Sequence, residues 1–427
     1  MTDGPLQNTG LLERSAGRPF PAEEVVAALE SGAQSQPSPR DLLIYVHIPF
    51  CSSKCTFCHW VAEIPVSELR SPREMRALYV EALIEQITCY APRLAELGYR
   101  PKYVYWGGGT PSMLDPKEIT RLGATLRSAF DLSEVVEYTV ESSPETLTEG
   151  KLDALLRVGM NRLSIGVQSF DEQELRRAAR AHSSRQAEEA VVMAQACGCE
   201  NINVDLITGF PGQDEEMLAH TLSRCVAIRP DHVTAYSYHA VPGTVMADQI
   251  TLGYRPGITR EAQLRAATQA SRTLIDNGYV EYMPMYFTFQ GLKPFGGERY
   301  YFGLRGDYFG FGSGAMSLIG HHRLANARGK LQQFLASPTS FDECVKFESS
   351  SFEGAGFLLR APLFSREGID RLVFRDRFGF DFDELRVNKS WRALELSVQR
   401  IGLRVVTTSS HVRLERLAEE LPLAADS

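Results

Sequence analysis

A repeated alternation of short apolar runs with helical stretches constrains this chain more than any other feature. Residues 42–48 (Leu-Leu-Ile-Tyr-Val-His-Ile) form a β-branched apolar run that reads as a buried strand. Pro72 opens a helical pattern reaching about residue 97, and residues 103–106 make the next strand, which ends in three glycines. A helix over 115–130 follows, with Asp115-Pro116 as cap and first turn. Further strands fit 138–141, 162–167, 203–207 and 232–236, each separated by a plausible helix. Alternation of this kind predicts a parallel sheet with helices outside, an α/β fold of partial (β/α)6 barrel type. After about residue 250 the rhythm breaks into a helix over 259–277, an aromatic- and glycine-rich segment over 279–320, and a tail that reads as mainly helical. The expected units are an N-terminal arm (1–40), a core (41–250), an extension that completes the site (251–340) and a C-terminal α+β, mainly helical region (341–427).

Composition narrows the class. The 427 residues are 44% hydrophobic and 23% charged, as in globular proteins, and a net charge of −8 without a long basic run argues against nucleic acid as a partner. No stretch approaches the roughly 20 apolar residues of a membrane-spanning helix. Eight cysteines without a secretion signal suggest reduced thiols and a cytoplasmic location.

Cys51, Cys55 and Cys58 form a C-x3-C-x2-C array directly after the first strand. Three thiolates so spaced on a loop can ligate three irons of a [4Fe-4S] cubane and leave the fourth open, where the amino and carboxyl groups of S-adenosylmethionine (SAM) can chelate. The alternatives are a zinc site completed by His47 or His59, or unliganded thiols; zinc sites more often use paired hooks, and a single hook is available here. Cys197-Gly-Cys199 could bind metal but reads better as small structural thiols at a helix end, and Cys89, Cys225 and Cys344 are isolated.

Other polar residues fall on successive strand ends, where such folds bind ligands. Gly107-Gly108-Gly109-Thr110-Pro111 closes the second strand and lets backbone approach a ligand. Glu141, Gln168 and Asp205 follow on later strands, and Arg180 could pair with a carboxylate. Taken singly each is an ordinary capped or salt-bridged side chain. Together they outline a binding site.

These segments resemble the oxygen-independent coproporphyrinogen III oxidase-like family of radical SAM proteins. The resemblance rests on Tyr45-Val-His-Ile-Pro-Phe-Cys51, the cysteine array, Gly107 to Pro111, Gly166-Val-Gln-Ser-Phe170, Asp205-Leu-Ile-Thr-Gly-Phe-Pro211 and Gly310-Phe-Gly-Ser-Gly-Ala315. It implies a [4Fe-4S] cluster and two SAM molecules. Gly109, Thr110, Gln168, Arg180 and Asp205 would meet the first, and Tyr45, Gly108 and the His239-Ala240 strand end the second, with Glu141 in the same site. It also implies an electron donor of flavodoxin or ferredoxin type.

Departures from the pattern bear on the activity. Coproporphyrinogen oxidases of the family carry a further cysteine two positions after the third ligand, where this chain has Trp60. The heme-chaperone branch usually carries His-Asn-x-x-Tyr-Trp where this chain reads Gly297-Glu-Arg-Tyr-Tyr-Phe302. What remains is similar to the class C radical SAM methyltransferases of natural-product biosynthesis. The expected function is therefore methylation of an sp2 carbon in a heteroaromatic small molecule or modified peptide, the porphyrinogen dehydrogenase and the heme chaperone being the alternatives. On position, Glu298, His239, Tyr286 and Tyr301 are candidate bases for the final proton.

Overall fold

A computed structural model describes residues 19–34, 38–59, 71–283, 285–292, 296, 307–327, 331–346 and 375, and the strands 369–370, 403–407 and 411–416. Six strands, β1 (Arg40–Ile48), β2 (Tyr99–Gly108), β3 (Glu137–Ser142), β4 (Arg162–Gln168), β5 (Ile202–Thr208) and β6 (His232–Ser237), pair in parallel in chain order. Leu42, Leu43, Ile44, Val46 and Ile48 of β1 are all buried, which is the mark of a strand covered on both faces. The helices packed outside are α2 (Pro72–Glu96), α3 (Pro116–Ala129), α4 (Glu149–Arg157), α5 (Glu172–Arg177), α6 (Ser184–Ala196) and α7 (Glu215–Ile228). Each begins where the sequence supplies a cap. Ser71 accepts from the Glu74 amide while Glu74 reaches back to the Ser71 amide at 2.7 Å, and Asp171 accepts from two amides of α5. These caps fix where every crossover leaves the sheet, so all six β-to-α loops open on one rim.

The sheet does not stop at residue 250. Beyond α8 (Val245–Thr251) and α9 (Arg260–Asp276), a hairpin of β7 (Tyr279–Met283) and β8 (Tyr286–Phe289) joins the β6 edge antiparallel. On the other edge β9 (Asp307–Phe311) pairs with β1 in parallel, and β10 (Met316–Ile319), β11 (His322–Ala325) and β12 (Glu343–Lys346) continue the sheet. The order is β12-β11-β10-β9-β1-β2-β3-β4-β5-β6-β8-β7. The core thus runs across the boundary expected at 250, with Trp106 and Phe287 in the same cluster as Phe309 and Phe311. A short α10 (Leu331–Ala336) packs on α2.

One other expectation needs correction. The arm 1–40 contains a helix, α1 (Ala22–Ala33), whose Val25 and Leu29 are fully buried and whose Glu30 pairs with Arg93 of α2. Leu29→Ala should therefore cost about 2–5 kcal/mol, read as an earlier denaturant or thermal midpoint. An unchanged midpoint would return α1 to the status of a loose arm. In 341–427 the described elements are nearly all strands, β12 together with a separate sheet of β13 (Ile369–Asp370), β15 (His411–Arg416) and β14 (Leu403–Thr407). The helices expected there lie outside the described residues. No described helix is long and apolar enough to cross a membrane.

Candidate functional site

The cysteine loop leaves β1 through Phe50, which is buried and edge-on to Tyr79 with ring centroids 5.3 Å apart. Its path is then pinned without any metal. The Thr56 amide donates to the Ala178 carbonyl at 3.0 Å, the Thr56 hydroxyl to the Arg177 carbonyl at 3.1 Å, and the Met246 amide to the Thr56 carbonyl at 2.8 Å. Phe57 packs on Phe210. All three cysteines are half-buried.

Two sulfurs already have donors aimed at them. The Thr110 hydroxyl lies 3.5 Å from Cys51 Sγ, and Arg180 Nη1 lies 3.1 Å from Cys55 Sγ. Burial is the main reason the Cys51 thiol is pushed up to about 11; the bond from Thr110 opposes it, and Cys58 and Cys55 add to it. Three thiols in mutual electrostatic contact, with sulfur-directed O–H and N–H groups, suit thiolates that carry an iron–sulfur cluster. Among the described residues no three His, Cys, Asp or Glu side chains converge on one ion position. A cubane does not ask for that, because each thiolate binds its own iron.

The glycine turn lies against this loop. The Gly109 amide donates to the Ile48 carbonyl at 2.8 Å, and a Cβ there would stand 2.7 Å from the Pro49 backbone. The Gly108 amide donates to Glu141 Oε2 at 3.1 Å, and Tyr105 OH to Glu141 Oε1 at 2.5 Å. Tyr45 stacks on Tyr105 and bonds His47 Nδ1 at 3.0 Å. Tyr45, Gly108 and Glu141 are thus brought together, as are Thr110, Arg180 and the cysteines. Gln168 takes a left-handed φ of 71° at a break in the β4–β5 register. That bend returns its side chain over Gly166, beside Arg180. Asp205 accepts from Ser164 Oγ at 3.0 Å and Asn203 Nδ2 at 2.9 Å, which offsets the cost of its burial. Arg180 Nε is buried with no partner among the described residues, leaving one charge-assisted donor for an anionic ligand.

Both half-buried carboxylates are shifted upwards. Burial is the main cause for Asp205. Glu141 moves from 4.5 to about 7, through burial first and then the charge of Asp205, against the bonds from Tyr105 and Gly108. The fold therefore favours neutral Glu141. That stabilisation is complete below the ordinary carboxylate range and is lost as pH rises through about 7. The neutral isostere Glu141→Gln should flatten the decline in thermal midpoint between about pH 5 and about pH 8, an effect on the order of 1–3 kcal/mol. Parallel profiles for the two proteins would refute the shift.

The expected bases fare differently. His239 is exposed on the loop after β6, beside exposed Ala240. Tyr286 is half-buried on β8, between β6 and β7, and stands edge-on to Tyr236 at 5.7 Å, while its neighbour Phe287 is buried in the core. Glu298, Tyr301 and Trp60 lie outside the described residues. Sequence reasoning also missed Ser143, Glu145 and His182, which form a buried network under the cysteine loop. Glu145 follows the third strand end by a few residues, so the strand-end rule could have found it.

The family model of the Radical SAM superfamily matches residues 45–225, the stretch that carries the cysteine loop, the glycine turn and the rim carboxylates. The heme chaperone HemW of Escherichia coli (strain K12) is 30% identical over 279 residues, 64% of this chain and 69% of the relative. The chain belongs to the radical SAM family of oxygen-independent coproporphyrinogen III oxidases and HemW heme chaperones. The Paracoccus denitrificans oxygen-independent coproporphyrinogen III oxidase is 36% identical over 219 residues, 51% of this chain but 45% of that enzyme. The solved E. coli coproporphyrinogen III oxidase (HemN) superposes with a TM-score of 0.75 at 23% identity, over 95% of this chain and 92% of that one, which establishes the α/β fold with its barrel-like parallel sheet. Family membership carries with it a [4Fe-4S] cluster and SAM.

Proposed function

We propose that this radical SAM enzyme acts on a tetrapyrrole, as an oxygen-independent coproporphyrinogen III dehydrogenase does. The observation that carries the reading is the 36% identity to the Paracoccus oxidase over 219 residues, about half of this chain. The relatives are named for tetrapyrroles, and they support this reading better than the methyl transfer expected from the sequence. Cys51, Cys55 and Cys58 would hold the cluster, which when bound supplies the electron for reductive cleavage of the SAM sulfonium. Arg180, through its unsatisfied Nε, would bind the SAM carboxylate. Glu141 and Asp205 offer half-buried acceptors for amino and hydroxyl groups.

Methyl transfer with two SAM molecules is the second reading, favoured by Trp60 at the position of the oxidases' additional cysteine. One experiment separates the possibilities: anaerobic turnover of the reconstituted, reduced protein with methyl-deuterated SAM, with and without coproporphyrinogen III. Unlabelled 5′-deoxyadenosine with carbon dioxide released from the porphyrinogen supports the dehydrogenase. Deuterium in 5′-deoxyadenosine overturns it in favour of methyl transfer. Negligible cleavage, together with stoichiometric heme binding, overturns it in favour of a heme chaperone.

A further inference from the structure

Under the cysteine loop lies a polar network to which neither the fold nor the SAM contacts assign a task. Glu145 follows β3 in the turn Ser143-Pro-Glu145, and its side chain is 15% exposed. It takes three donors: Ser52 Oγ at 2.6 Å on Oε1, and Ser143 Oγ and His182 Nδ1 on Oε2. Ser52 sits beside Cys51 on the cluster loop. Ser143, while donating to Glu145, accepts from Arg180 Nη2 at 2.8 Å, and the other terminal nitrogen of Arg180 touches Cys55 Sγ. One carboxylate thus reaches both ends of the Cys51–Cys55 segment. It reaches Ser52 directly and Cys55 through Ser143 and Arg180.

His182 completes the arrangement. Its side chain is 0% exposed, and its two ring nitrogens face acceptors, the Val167 carbonyl at 3.1 Å and Glu145 at 3.3 Å. The buried ring is thereby fixed between the β4 backbone and the Glu145 carboxylate. Burial would raise the Glu145 carboxyl, but the bonds from His182, Ser143 and Ser52, with Arg180 nearby, hold it well below the usual carboxylate range.

We propose that Glu145, hydrogen-bonded to His182, is a positioning residue that aims Arg180 at SAM and holds the cysteine loop in register. The proposal rests on the radical SAM reading of the site. It gives the two arms separate tasks, Ser143 serving SAM binding and Ser52 serving the cluster loop.

The test uses full-length protein after anaerobic reconstitution, with three readouts: iron per chain, SAM affinity from the change in the reduced cluster's EPR spectrum, and thermal midpoint. Glu145→Gln keeps the shape but cannot serve three donors, and should weaken SAM binding at least tenfold while the cluster still loads. Ser143→Ala should reproduce the affinity loss with normal iron. Ser52→Ala should lower iron content or alter the EPR spectrum while SAM affinity holds. His182→Gln disturbs the contact that holds Glu145, so the Glu145→Gln/His182→Gln double variant should melt no lower than His182→Gln alone. Wild-type SAM affinity in both Glu145→Gln and Ser143→Ala, with only the midpoint lowered, would reduce the pair to a structural one and overturn the proposal. Wild-type protein that takes up no iron would overturn the cluster reading itself, and the proposal with it.

Discussion

Cys51→Ala, Cys55→Ala and Cys58→Ala should each lose bound iron after anaerobic reconstitution, and SAM cleavage should fall at least about a hundredfold. Loss of an outer-shell partner alone costs about 10–100-fold, so loss of a ligand costs no less. The fold should survive, because the loop is held by bonds that involve no sulfur: Thr56 to Ala178 and Arg177, and Met246 to Thr56. Cys225→Ala is the counterpart. Cys225 lies fully buried in α7 among core side chains, its thiol pushed up to about 12 by burial alone. Its removal should leave iron and cleavage unchanged and lower the melting temperature modestly. Ligation must also expel the Cys51 proton, held at about 11, so cluster loading should improve as pH is raised. Near-normal iron in all three ligand variants would remove the basis of the radical SAM reading.

What could be read from the sequence was what local pattern determines. The β-branched run at 42–48 lies inside β1 (Arg40–Ile48), and the helix expected from Pro72 to about 97 is α2, ending at Glu96, because Ser71, Pro72 and Glu74 form a complete start signal. The strand-end rule singled out Glu141 and Gln168, which lie at the ends of β3 and β4. In a parallel sheet the chain order of strand ends is also their order along the rim. Reading failed where partners are remote. β9 pairs with β1 across most of the chain, which no local periodicity encodes. The helix α1 sits behind a Pro- and Ser-rich stretch that resembles a tail, and only its burial against β10, β11 and α2 shows that it belongs to the core. Glu145 and His182 lie 37 residues apart, and only the fold sets the turn after β3 beside the segment before α6. Alternation in His411-Val-Arg-Leu-Glu-Arg was there to be read as a strand, but the helical expectation for the tail overrode it.

Gly108→Ala should be among the most damaging single-methyl changes in the molecule. Gly108 has φ +109°, where an L side chain is strained, and a Cβ there would lie 2.5 Å from the His47 ring. Strain of about 1–3 kcal/mol and overpacking of about 1–3 kcal/mol add to roughly 2–6 kcal/mol. Relief by rotating the backbone is closed off, since the Gly108 amide is held by Glu141 and the following Gly109 amide by the Ile48 carbonyl. The distortion must therefore reach the site, and SAM affinity should fall along with the melting temperature. Gly150→Ala is the contrast. A Cβ there meets nothing within 4 Å, and it lies in α4, so the change should be neutral or slightly stabilising. Adding His47→Ala to Gly108→Ala removes the ring but not the backbone strain, so it should recover part of the lost stability. SAM affinity should recover less, because the Glu141 contact depends on the backbone. Recovery of both to the wild-type level would mean that the ring alone excludes a side chain at 108. A Gly108→Ala protein indistinguishable from wild type in melting and SAM binding would mean that the turn has room for one, and that the glycines do not draw β2 against the cysteine loop.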